Sequence, residues 1–294
     1  VVAIGNFDGV HLGHQQVIGH ARALAQEIEG DHQVAVLTFD PHPARLFAPD
    51  LAPPLIATLE RRIDWLGEAG ADHVVVETFD PALAELSPGD FIQQILLQRL
   101  GAAGVVVGYD FTYGKGGLGN TELLREECQR AGVRVGITDA YYQDGILVSS
   151  TKIREFILSG RVYGASVLLG RPFELSGEVV RGAGRGRTIG YPTANVAAVQ
   201  DLTPAFGVYA ARARVGDDLV DAAVSIGIVP TFKQDQEVTI EAYLLDFDRD
   251  IYETCVCLEF VKRLRPERRF EGVDALVKQI ALDVKQVRDI LLTL

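Results

Sequence analysis

Hydrophobic and polar positions repeat with two different periods along this chain, and the change predicts two kinds of structure. In the first half, short β-branched runs alternate with longer segments whose apolar residues recur every three or four positions. The predicted strands are residues 1–4, 33–38, 74–76, 104–108 and 133–137, and the predicted helices are about 13–29, 58–69, 88–100 and 119–131. This alternation indicates βαβ units, which form a parallel sheet with a ligand crevice at the carboxyl ends of its strands.

Helix-length periods then vanish until residue 272, and short alternating segments separated by polar turns replace them. These segments lie near residues 174–181, 206–215, 219–227, 237–247 and 254–261. Their length and spacing predict a small antiparallel barrel. The final segment predicts a helix that docks against the barrel through one apolar stripe. The stripe consists of Val273, Leu276, Val277, Ile280, Val284, Val287, Ile290 and Leu291.

The change from helix-length periods to short alternating segments places the predicted domain boundary after residue 169. We therefore expect an α/β chain in which residues 1–169 form a Rossmann-like domain with a parallel sheet. Residues 170–294 should form a small antiparallel β-barrel with a C-terminal helix. A chain of 294 residues is long enough for two such domains, each with its own core.

Charge and cysteine content narrow the class of protein. A net charge of −12 at pH 7 argues against a nucleic acid or an anionic membrane as partner, because either would require a broad basic field. Three cysteines are an odd count, which disfavours a disulfide framework and fits a reducing cytoplasm. No apolar run approaches the roughly 18 residues that span a bilayer, and no signal-peptide pattern opens the chain. We expect a cytoplasmic monomer or weak homo-oligomer that acts on small molecules.

The stretch between the first strand and the first helix has the composition of an anion site. It is Gly5-Asn6-Phe7-Asp8-Gly9-Val10-His11-Leu12-Gly13-His14. Glycine lets the backbone approach a phosphate, and the following helix contributes N–H groups and the positive end of its dipole. His11 and His14 are three residues apart, so both imidazoles can stabilise charge on a phosphate during transfer. Alternatively, the histidines cap or pack the helix start; metal binding is weaker, because no third ligand has a convincing spacing.

This run resembles the nucleotide-binding signature of the nucleotidylyltransferase superfamily. In its long form it is similar to the FMN adenylyltransferase module of bacterial bifunctional riboflavin kinase/FAD synthetases. The resemblance implies that His11 and His14 contact the ATP phosphates while the phosphate of FMN attacks the α-phosphorus and pyrophosphate leaves. It also implies that Phe7, Asp8 and Gly9 shape the nucleotide pocket.

Two loops that follow later strands resemble flavin-site segments of the same family. The loop Phe39-Asp40-Pro41-His42-Pro43 is similar to T-F-x-P-H-P, which implies a pocket role for His42. A histidine in a proline loop can equally be solvated. The segment from Tyr109 is similar to G-x-D-F-x-F-G, which implies flavin contacts for Asp110 and Phe111. A loop this rich in glycine can also be a mobile connection.

The segment Ser149-Ser150-Thr151-Lys152-Ile153-Arg154 places hydroxyl groups at a predicted helix start. Such residues most often only cap a helix. The segment also resembles the family element S-S-T-x-I-R, which implies that Ser150 and Thr151 contact the ATP phosphates. Arg154 would then act as a charge clamp on them.

A second candidate phosphate loop lies in the predicted barrel, where glycine and arginine alternate after a strand. Glycine permits close backbone contact and arginine supplies forked donors, although such runs are usually solvated turns. Thr193 and Asn195 follow two residues apart, hence on one face if the chain is extended. Their hydroxyl and amide oxygens suit a Mg²⁺ ion that keeps waters and bridges nucleotide phosphates.

This run resembles the riboflavin kinase signature G-R-G-x-x-x-G-x-P-T-A-N. By that resemblance the loop holds ATP phosphates and the metal lies at Thr193 and Asn195. The loop residues implied are Gly182, Gly184, Gly186, Arg187 and Thr188. The G-x-Y-A strand implies flavin-side roles for Gly207 and Tyr209.

Glu241 is the candidate catalytic base of the barrel. Val238, Ile240, Ala242 and Leu244 form an apolar face, so Glu241 points the other way. An outward glutamate is usually only solvated, yet the family places its catalytic glutamate at this E-x-x-L-L-D-F position. It would take the proton of the ribityl 5′-hydroxyl as that oxygen attacks the γ-phosphorus of MgATP.

Three positions depart from the kinase pattern, namely Val229, Lys233 and Glu253. The family usually has a polar or basic residue at the first and glycine at the other two. The sequence therefore predicts a bifunctional enzyme that makes FMN from riboflavin and ATP, and FAD from FMN and ATP. The alternatives are a protein with only one active half and a flavin-binding regulatory protein with two degenerate sites.

Overall fold

The computed structural model describes residues 1–182, 184–230 and 236–293 of the chain. Its contacts divide the chain into two units. The first unit comprises Val1–Pro53 and Thr58–Ser150, and the second comprises Pro54–Ala57 and Thr151–Leu294. In the described part of the chain, no helix combines the length and the apolar character needed to cross a membrane.

The first unit is built on a five-stranded parallel sheet, as the alternating pattern predicts. Its strands are β1 (Val2–Ile4), β2 (Ala35–Asp40), β3 (His73–Thr78), β4 (Gly104–Gly108) and β5 (Arg134–Thr138). They lie in the order β3-β2-β1-β4-β5, with every neighbouring pair parallel. The order reverses between β1 and β4. The loops after these two strands therefore flank the topological switch point, where sheets of this type bind ligands.

Helices and short turns connect these strands. The helices are α1 (Leu12–Glu27), α2 (Pro43–Phe47), α3 (Leu59–Glu68), α4 (Pro81–Ala84), α5 (Pro88–Asp90) and α6 (Thr121–Arg130). Residues Pro49–Leu51 and Lys115–Gly117 form 3₁₀ turns. A small hairpin of β6 (Tyr142–Gln143) and β7 (Ile146–Leu147) follows β5. Buried apolar residues of the strands and of the helices packed on them form the core.

One predicted helix differs in its winding. Residues 88–100 form the single turn α5 and then a π-helix over Phe91–Arg99. The backbone N–H of Leu100 donates to the carbonyl of Ile95, five residues earlier. The buried side chains Phe91 and Ile95, and likewise Ile92 and Leu96, are four residues apart. The wider π turn keeps this spacing on one side better than the 3.6-residue α turn does.

The second unit contains a closed antiparallel barrel. Its strands are β8 (Phe173–Val180), β9 (Ala194–Ala198), β10 (Gly207–Val215), β11 (Asp218–Pro230), β12 (Gln236–Leu244) and β13 (Cys255–Pro266). Their cyclic order is β10-β11-β12-β9-β8-β13. Five of the six strands match predicted segments. The sixth, β9, was not predicted, and it closes the barrel by pairing with both β8 and β12.

Three longer helices accompany the barrel in the second unit. They are α7 (Ser150–Leu158), which begins at the last residue of the first unit, α8 (Val162–Leu169) and α10 (Val273–Leu291). Helix α8 buries Val162 and Leu168 and contacts β8 and β13. The predicted domain boundary after residue 169 therefore lies beyond two helices that contribute to the second unit.

Helix α10 docks against the barrel as predicted. Val287 and Leu291 are buried against Ala210 and Leu245. The stripe does not include its first predicted member, because Val273 is 59% exposed at the helix start. Two ion pairs join this helix to the barrel, Arg265 with Asp283 at 2.7 Å and Arg288 with Asp246 at 2.7 Å.

Two of the three departures from the kinase pattern lie within the described backbone. Val229 lies in β11. Glu253 has a φ of +62°, the left-handed conformation that glycine adopts without strain. That conformation explains why glycine is usual at this position. Lys233 lies outside the described residues.

Candidate active sites

The loop after β1 has an unusual backbone that its neighbours hold in place. Phe7, Gly9 and Val10 all have positive φ values, of 49°, 81° and 39°. Such a conformation is strained for a β-branched residue, and strain of this kind is most common at functional sites. Phe7 and Val10 are nevertheless fully buried. Burial of these side chains therefore stabilises the conformation of the loop.

Hydrogen bonds fix alternate carbonyl groups of this loop. Thr38 Oγ1 donates to the carbonyl of Asn6 at 3.0 Å, and Ser150 Oγ donates to the carbonyl of Asp8 at 3.0 Å. Gln15 Nε2 donates to the carbonyl of Val10 at 3.1 Å. A trans peptide holds its N–H opposite its C=O, so fixing these carbonyls also fixes the direction of the following N–H groups. The loop is preorganised in the way that a phosphate site requires.

The two histidines of the loop lie against each other. His11 is 6% exposed and is the N-cap of α1, where its Nδ1 accepts the backbone N–H of His14 at 3.2 Å. The two imidazole rings stack with centroids 3.5 Å apart and planes 16° apart. Because Nδ1 of His11 is an acceptor, the neutral ring carries its proton on Nε2. His11 therefore caps the helix and also has a defined tautomer, so capping and a catalytic role are compatible.

Small and aromatic neighbours set the position of these rings. A Cβ at Gly13 would lie 3.2 Å from the His11 ring, and one at Gly5 would lie 3.3 Å from the ring of Phe7. The ring of Phe7 meets that of His14 edge-on with centroids 5.2 Å apart. The glycines of the loop therefore provide space for ring packing, in addition to conformational freedom.

The other residues predicted for the first unit follow β2 and β4. His42 is half-buried and caps α2, with its Nδ1 accepting the N–H of Ala44 at 3.2 Å. Asp110 is exposed, whereas Phe111 is half-buried and stacks on Tyr113 with centroids 5.6 Å apart. Their strands, β2 and β4, are the two neighbours of β1. These loops therefore leave the same edge of the sheet as the histidine loop.

The segment at the start of α7 has residues in both units. Ser150 belongs to the first unit and reaches the carbonyl of Asp8. Thr151 and Arg154 belong to the second unit. Thr151 is exposed, and Arg154 is buried with its Nε donating to the carbonyl of Pro54 at 2.8 Å.

In the barrel, the glycine loop packs directly on the predicted metal residues. A Cβ at Gly182 would lie 2.1 Å from the side-chain amide of Asn195. A Cβ at Gly186 would lie 2.2 Å from the carbonyl oxygen of Tyr191 and 3.2 Å from Oγ1 of Thr193. Any larger residue would displace these groups. Gly184 has φ +67° and starts the short helix α9 (Arg185–Thr188), which contains Arg187 and Thr188.

The predicted base lies beside the same two residues. Glu241 on β12 is directly opposite Asn195 on β9, so their side chains share one face. Oγ1 of Thr193 donates to Oε2 of Glu241 at 3.4 Å. Ile240, Ala242 and Leu244 are buried on the opposite face, as the alternation predicts, whereas Val238, the fourth member of the predicted apolar face, is 44% exposed. One patch of the barrel therefore carries a carboxylate, a hydroxyl and an amide.

A cavity of about 320 Å³ is lined by Thr193 of this patch, together with Ala242 and Leu244 of the opposite face of β12. Pro192 and Arg187 also line it. The loop after β12, residues 247–252, contributes further lining residues, which include Phe247 and Tyr252. The cavity combines flat apolar surface with charged groups, as a nucleotide pocket does.

Tyr209, for which the resemblance implies a flavin-side role, lies in the core of the barrel. Its side chain is fully buried, its ring meets that of Phe260 edge-on, and its hydroxyl donates to the carbonyl of Ala205. Burial raises the pKa of the Tyr209 hydroxyl to about 12. Its contacts are those of a core residue. Gly207 lies at the start of β10, where a Cβ would lie 2.4 Å from the carbonyl oxygen of Arg265.

Sequence reasoning missed two features of these sites. One is Arg62, a buried arginine that contacts the histidine loop from α3. Its position in an ordinary amphipathic helix gives no signal, although it occupies the buried face of that helix. The other is the wall formed by residues 247–252. Its two aromatic residues, set among charged ones directly after a strand, could have indicated a pocket.

Comparison with known proteins bears on both units. A family model described as FAD synthetase matches residues 1–152, and one described as riboflavin kinase matches residues 169–291. Together they span most of the chain, and each matches the half that contains the corresponding candidate site.

Similar proteins match along almost the whole chain. A protein of Bacillus subtilis is 38% identical, covering 97% of this chain and 90% of the relative. One of Listeria monocytogenes is 40% identical, covering 98% and 91%. Both are named bifunctional riboflavin kinase/FMN adenylyltransferase. A solved structure from Streptococcus pneumoniae, titled as a macrolide-efflux protein, shares 31% identity at a TM-score of 0.87, covering 98% of this chain and 93% of the other.

Proposed function

The chain belongs to the family of bifunctional riboflavin kinases/FMN adenylyltransferases, and from that premise we propose which residues carry each of the two reactions. The barrel converts riboflavin and ATP to FMN and ADP. The parallel-sheet unit converts FMN and ATP to FAD and pyrophosphate. The observation that carries the assignment is the meeting of Glu241, Thr193 and Asn195 beneath the glycine loop of the barrel.

In the kinase reaction, Glu241 is the general base. It accepts the proton of the ribityl 5′-hydroxyl of riboflavin while that oxygen attacks the γ-phosphorus and ADP leaves. Gly182, Gly184 and Gly186 bring backbone N–H groups close to the phosphates, and Arg187 and Thr188 add side-chain donors. Phosphoryl transfer depends mainly on such positioning and on charge stabilisation.

The donor set at Thr193 and Asn195 fits Mg²⁺. A hydroxyl and an amide oxygen are hard neutral ligands, and Mg²⁺ completes its octahedral shell with waters and substrate phosphates. When bound, the ion neutralises charge that develops on the phosphate oxygens. The hydrogen bond between Thr193 and Glu241, at 3.4 Å, supports a base that acts beside the same phosphates.

The cavity beside Thr193 is the proposed adenosine pocket of the kinase. Phe247 and Tyr252 offer the ring faces that Arg249 and Arg181 do not cover, and Pro192 extends the apolar wall. Arg187 lies at the same cavity, where it can meet the phosphates. Because Tyr209 is buried, Gly207 and Tyr209 would shape the flavin pocket indirectly, by packing within the barrel wall.

In the adenylyl transfer, the loop after β1 holds the triphosphate of ATP. An FMN phosphate oxygen attacks the α-phosphorus, and the bond to the pyrophosphate oxygen breaks. His11, with its proton on Nε2, and His14 donate to oxygens that gain charge in this step. Phe7, Asp8 and Gly9 shape the nucleotide pocket.

Loops around that site supply the remaining contacts. Ser150 contacts the ATP phosphates, and the same role for Thr151 and Arg154 rests on the family resemblance alone. His42, Asp110 and Phe111 line the flavin pocket. Ser150 already bonds to the catalytic loop, and Phe111 already stacks on a second aromatic ring, so both are held in place before substrate binds.

The test follows both products in one reaction. Purified protein is incubated with riboflavin, ATP and Mg²⁺, and separately with FMN, ATP and Mg²⁺, and flavins are separated by chromatography. We expect E241Q to lose FMN formation at least about 1,000-fold and to convert supplied FMN normally, because the glutamine cannot accept the proton. We expect H14A to show the reverse pattern. Equal loss of both reactions in either variant would reject the division of labour.

A further inference from the structure

Arg62 is a buried cation behind the histidine loop that no step above uses. It lies on α3 and is only 3% exposed. Burial lowers the pKa of its guanidinium, while the carboxylates of Asp8 and Asp40 act in the opposite direction. An arginine stays charged at physiological pH, so a full positive charge is kept inside the unit. A buried charge is costly unless its partners compensate it.

The guanidinium joins the two loops that leave β1 and β2. Its Nη1 donates to the carbonyl of Asn6 at 3.1 Å, and its Nη2 donates to the carbonyl of Phe39 at 3.2 Å. The same Nη2 lies 3.5 Å from Oδ1 of Asp40. One rigid planar group therefore sets the distance between the histidine loop and the loop that contains His42.

The arginine also fixes the start of the catalytic loop. The carbonyl of Asn6 accepts from both Arg62 and Thr38, so the peptide that leads into Phe7 and Asp8 is held from two sides. Asp8 is 2% exposed, and its charge interacts with that of Arg62. Within the described residues, Nε of Arg62 has no protein hydrogen-bond partner. The guanidinium of Arg62 is thus positioned to bond the two loops, although its Nε–H is left without a hydrogen bond to the described residues. Such a compromise is more common at functional sites than in a structural core.

We propose that Arg62 is a positioning residue for adenylyl transfer, because its fork holds the triphosphate loop at Asn6 and the flavin-side loop at Phe39 in fixed register. The inference rests on the proposed assignment of the histidine loop to ATP. Arg62 contacts no reacting atom. Its loss should therefore reduce kcat for FAD synthesis with little change in the KM for ATP. Misplaced loops raise the free energy of the transition state more than that of the bound substrate.

The test uses the full chain with R62M and R62K and measures both reactions on the same preparation. We expect R62M to lower kcat for FAD synthesis about 100-fold and to leave riboflavin phosphorylation unchanged. R62K should recover about tenfold, because one ammonium can reach only one of the two carbonyls. R62K as active as the unchanged enzyme would overturn the claim that one fork must span both loops.

The neighbouring arginine provides a matched control. Arg61 is the neighbouring residue on the same helix, where it pairs with Asp64 at 3.1 Å and lies over the ring of Trp65. R61M should leave both reactions unchanged. A loss with R61M equal to that with R62M, or a loss carried by KM alone, would overturn the proposal.

A milder variant covers the case in which R62M fails to fold. Trp65 is the single tryptophan and is buried in the first unit, so its fluorescence reports whether that unit is folded. T38V removes the other hydrogen bond on the Asn6 carbonyl while keeping the shape of the side chain. It should lower kcat for FAD synthesis about fivefold with a normal Trp65 transition. Unchanged kcat in T38V would overturn the proposal, whereas absence of FAD with the unchanged enzyme would reject the assignment on which it rests.

Discussion

The two candidate phosphate sites of this chain are built in different ways. In the first unit, donors from β2, α1 and Ser150 bond to the carbonyls of Asn6, Val10 and Asp8, and so hold the loop. In the barrel, the glycine loop instead packs on the side chain of Asn195 and on the carbonyl oxygen of Tyr191, with no room for a Cβ at Gly182 or Gly186. The first site depends on hydrogen bonds to the carbonyl groups of its loop. The second depends on the absence of a side chain at Gly182 and Gly186.

The difference also concerns how the functional groups are assembled. His11 and His14 belong to the same ten-residue stretch as the loop that they serve. In the barrel, Asn195 lies on β9 and Glu241 on β12, so the site exists only when these strands pair in register. A one-residue slip would turn every side chain of a strand to the other face. The second site should therefore be the more sensitive to a single added methyl group.

Among single added methyl groups, the largest effect should come from G182A. The added Cβ would lie 2.1 Å from the amide of Asn195 and must displace that short side chain from the metal and phosphate patch. We expect kcat/KM for riboflavin phosphorylation to fall at least about 100-fold, with normal conversion of FMN to FAD. Steady-state kinetics of both reactions on one preparation measures this.

G184A is the matched control within the same loop. Gly184 has a φ of +67°, but within the described part of the chain no atom beyond its neighbours lies within 4 Å of an added Cβ. Alanine there costs only the strain of a left-handed residue, about 1 kcal/mol, and kinase activity should fall less than about fivefold. If G184A were as damaging as G182A, loop conformation and not the space beside Asn195 would govern the site.

G13A should have a smaller effect on the other site, and it separates activity from stability. An added Cβ would lie 3.2 Å from the His11 ring, so the ring must shift by a few tenths of an ångström. Gly13 lies in α1 with ordinary helical geometry, where alanine is favoured by up to about 1 kcal/mol. We expect kcat for FAD synthesis to fall about tenfold. The melting temperature by Trp65 fluorescence should stay the same or rise, and a lower value would contradict this account.

Much of this organisation could be predicted from local patterns. Helix α1 begins within one residue of its prediction, and strand β4 has its predicted bounds, because both depend on hydrophobic periods read over one element. Glu241 was placed on the face opposite Ile240 and Ala242 by alternation alone. These features need only the side-chain geometry of a helix or a strand.

The remaining features depend on contacts between distant residues. Strand β9 is short and half-exposed, and it becomes a strand only because β8 and β12 both pair with it. The role of Arg62 depends on two carbonyl groups, at Asn6 and Phe39, that carry no side-chain signature. The core position of Tyr209 depends on barrel closure. Local sequence contains none of this information.

Two buried tyrosines, one in each unit, sharpen the comparison further. Tyr113 is 7% exposed, and within the described residues its hydroxyl has no protein partner. The hydroxyl of Tyr209 donates to Ala205. Removing an unsatisfied buried hydroxyl should stabilise a protein, whereas removing a bonded one leaves an orphaned carbonyl. We expect Y113F to stabilise the first unit, and Y209F to destabilise the second, by about 1 kcal/mol each.

Denaturant unfolding with two probes measures these effects. Trp65 fluorescence follows the first unit, and loss of riboflavin phosphorylation follows the second. The resemblance to G-x-D-F-x-F-G places phenylalanine at the position of Tyr113, which agrees with the expected sign. Destabilisation by Y113F would show that the hydroxyl of Tyr113 has a stabilising partner.

The smallest expected effect is at Glu253, where one residue of the barrel departs from the glycine that its conformation favours. With φ at +62°, a residue with a Cβ is strained, and glycine relieves the strain while adding entropy to the unfolded chain. The two terms leave a net stabilisation of about 0.5 kcal/mol for E253G, measured by the second-unit transition. E253A is the control, since it removes the carboxylate and keeps the Cβ. Because alanine is strained like glutamate, E253A should leave stability unchanged; equal stabilisation by both variants would assign the effect to side-chain charge and not to the backbone.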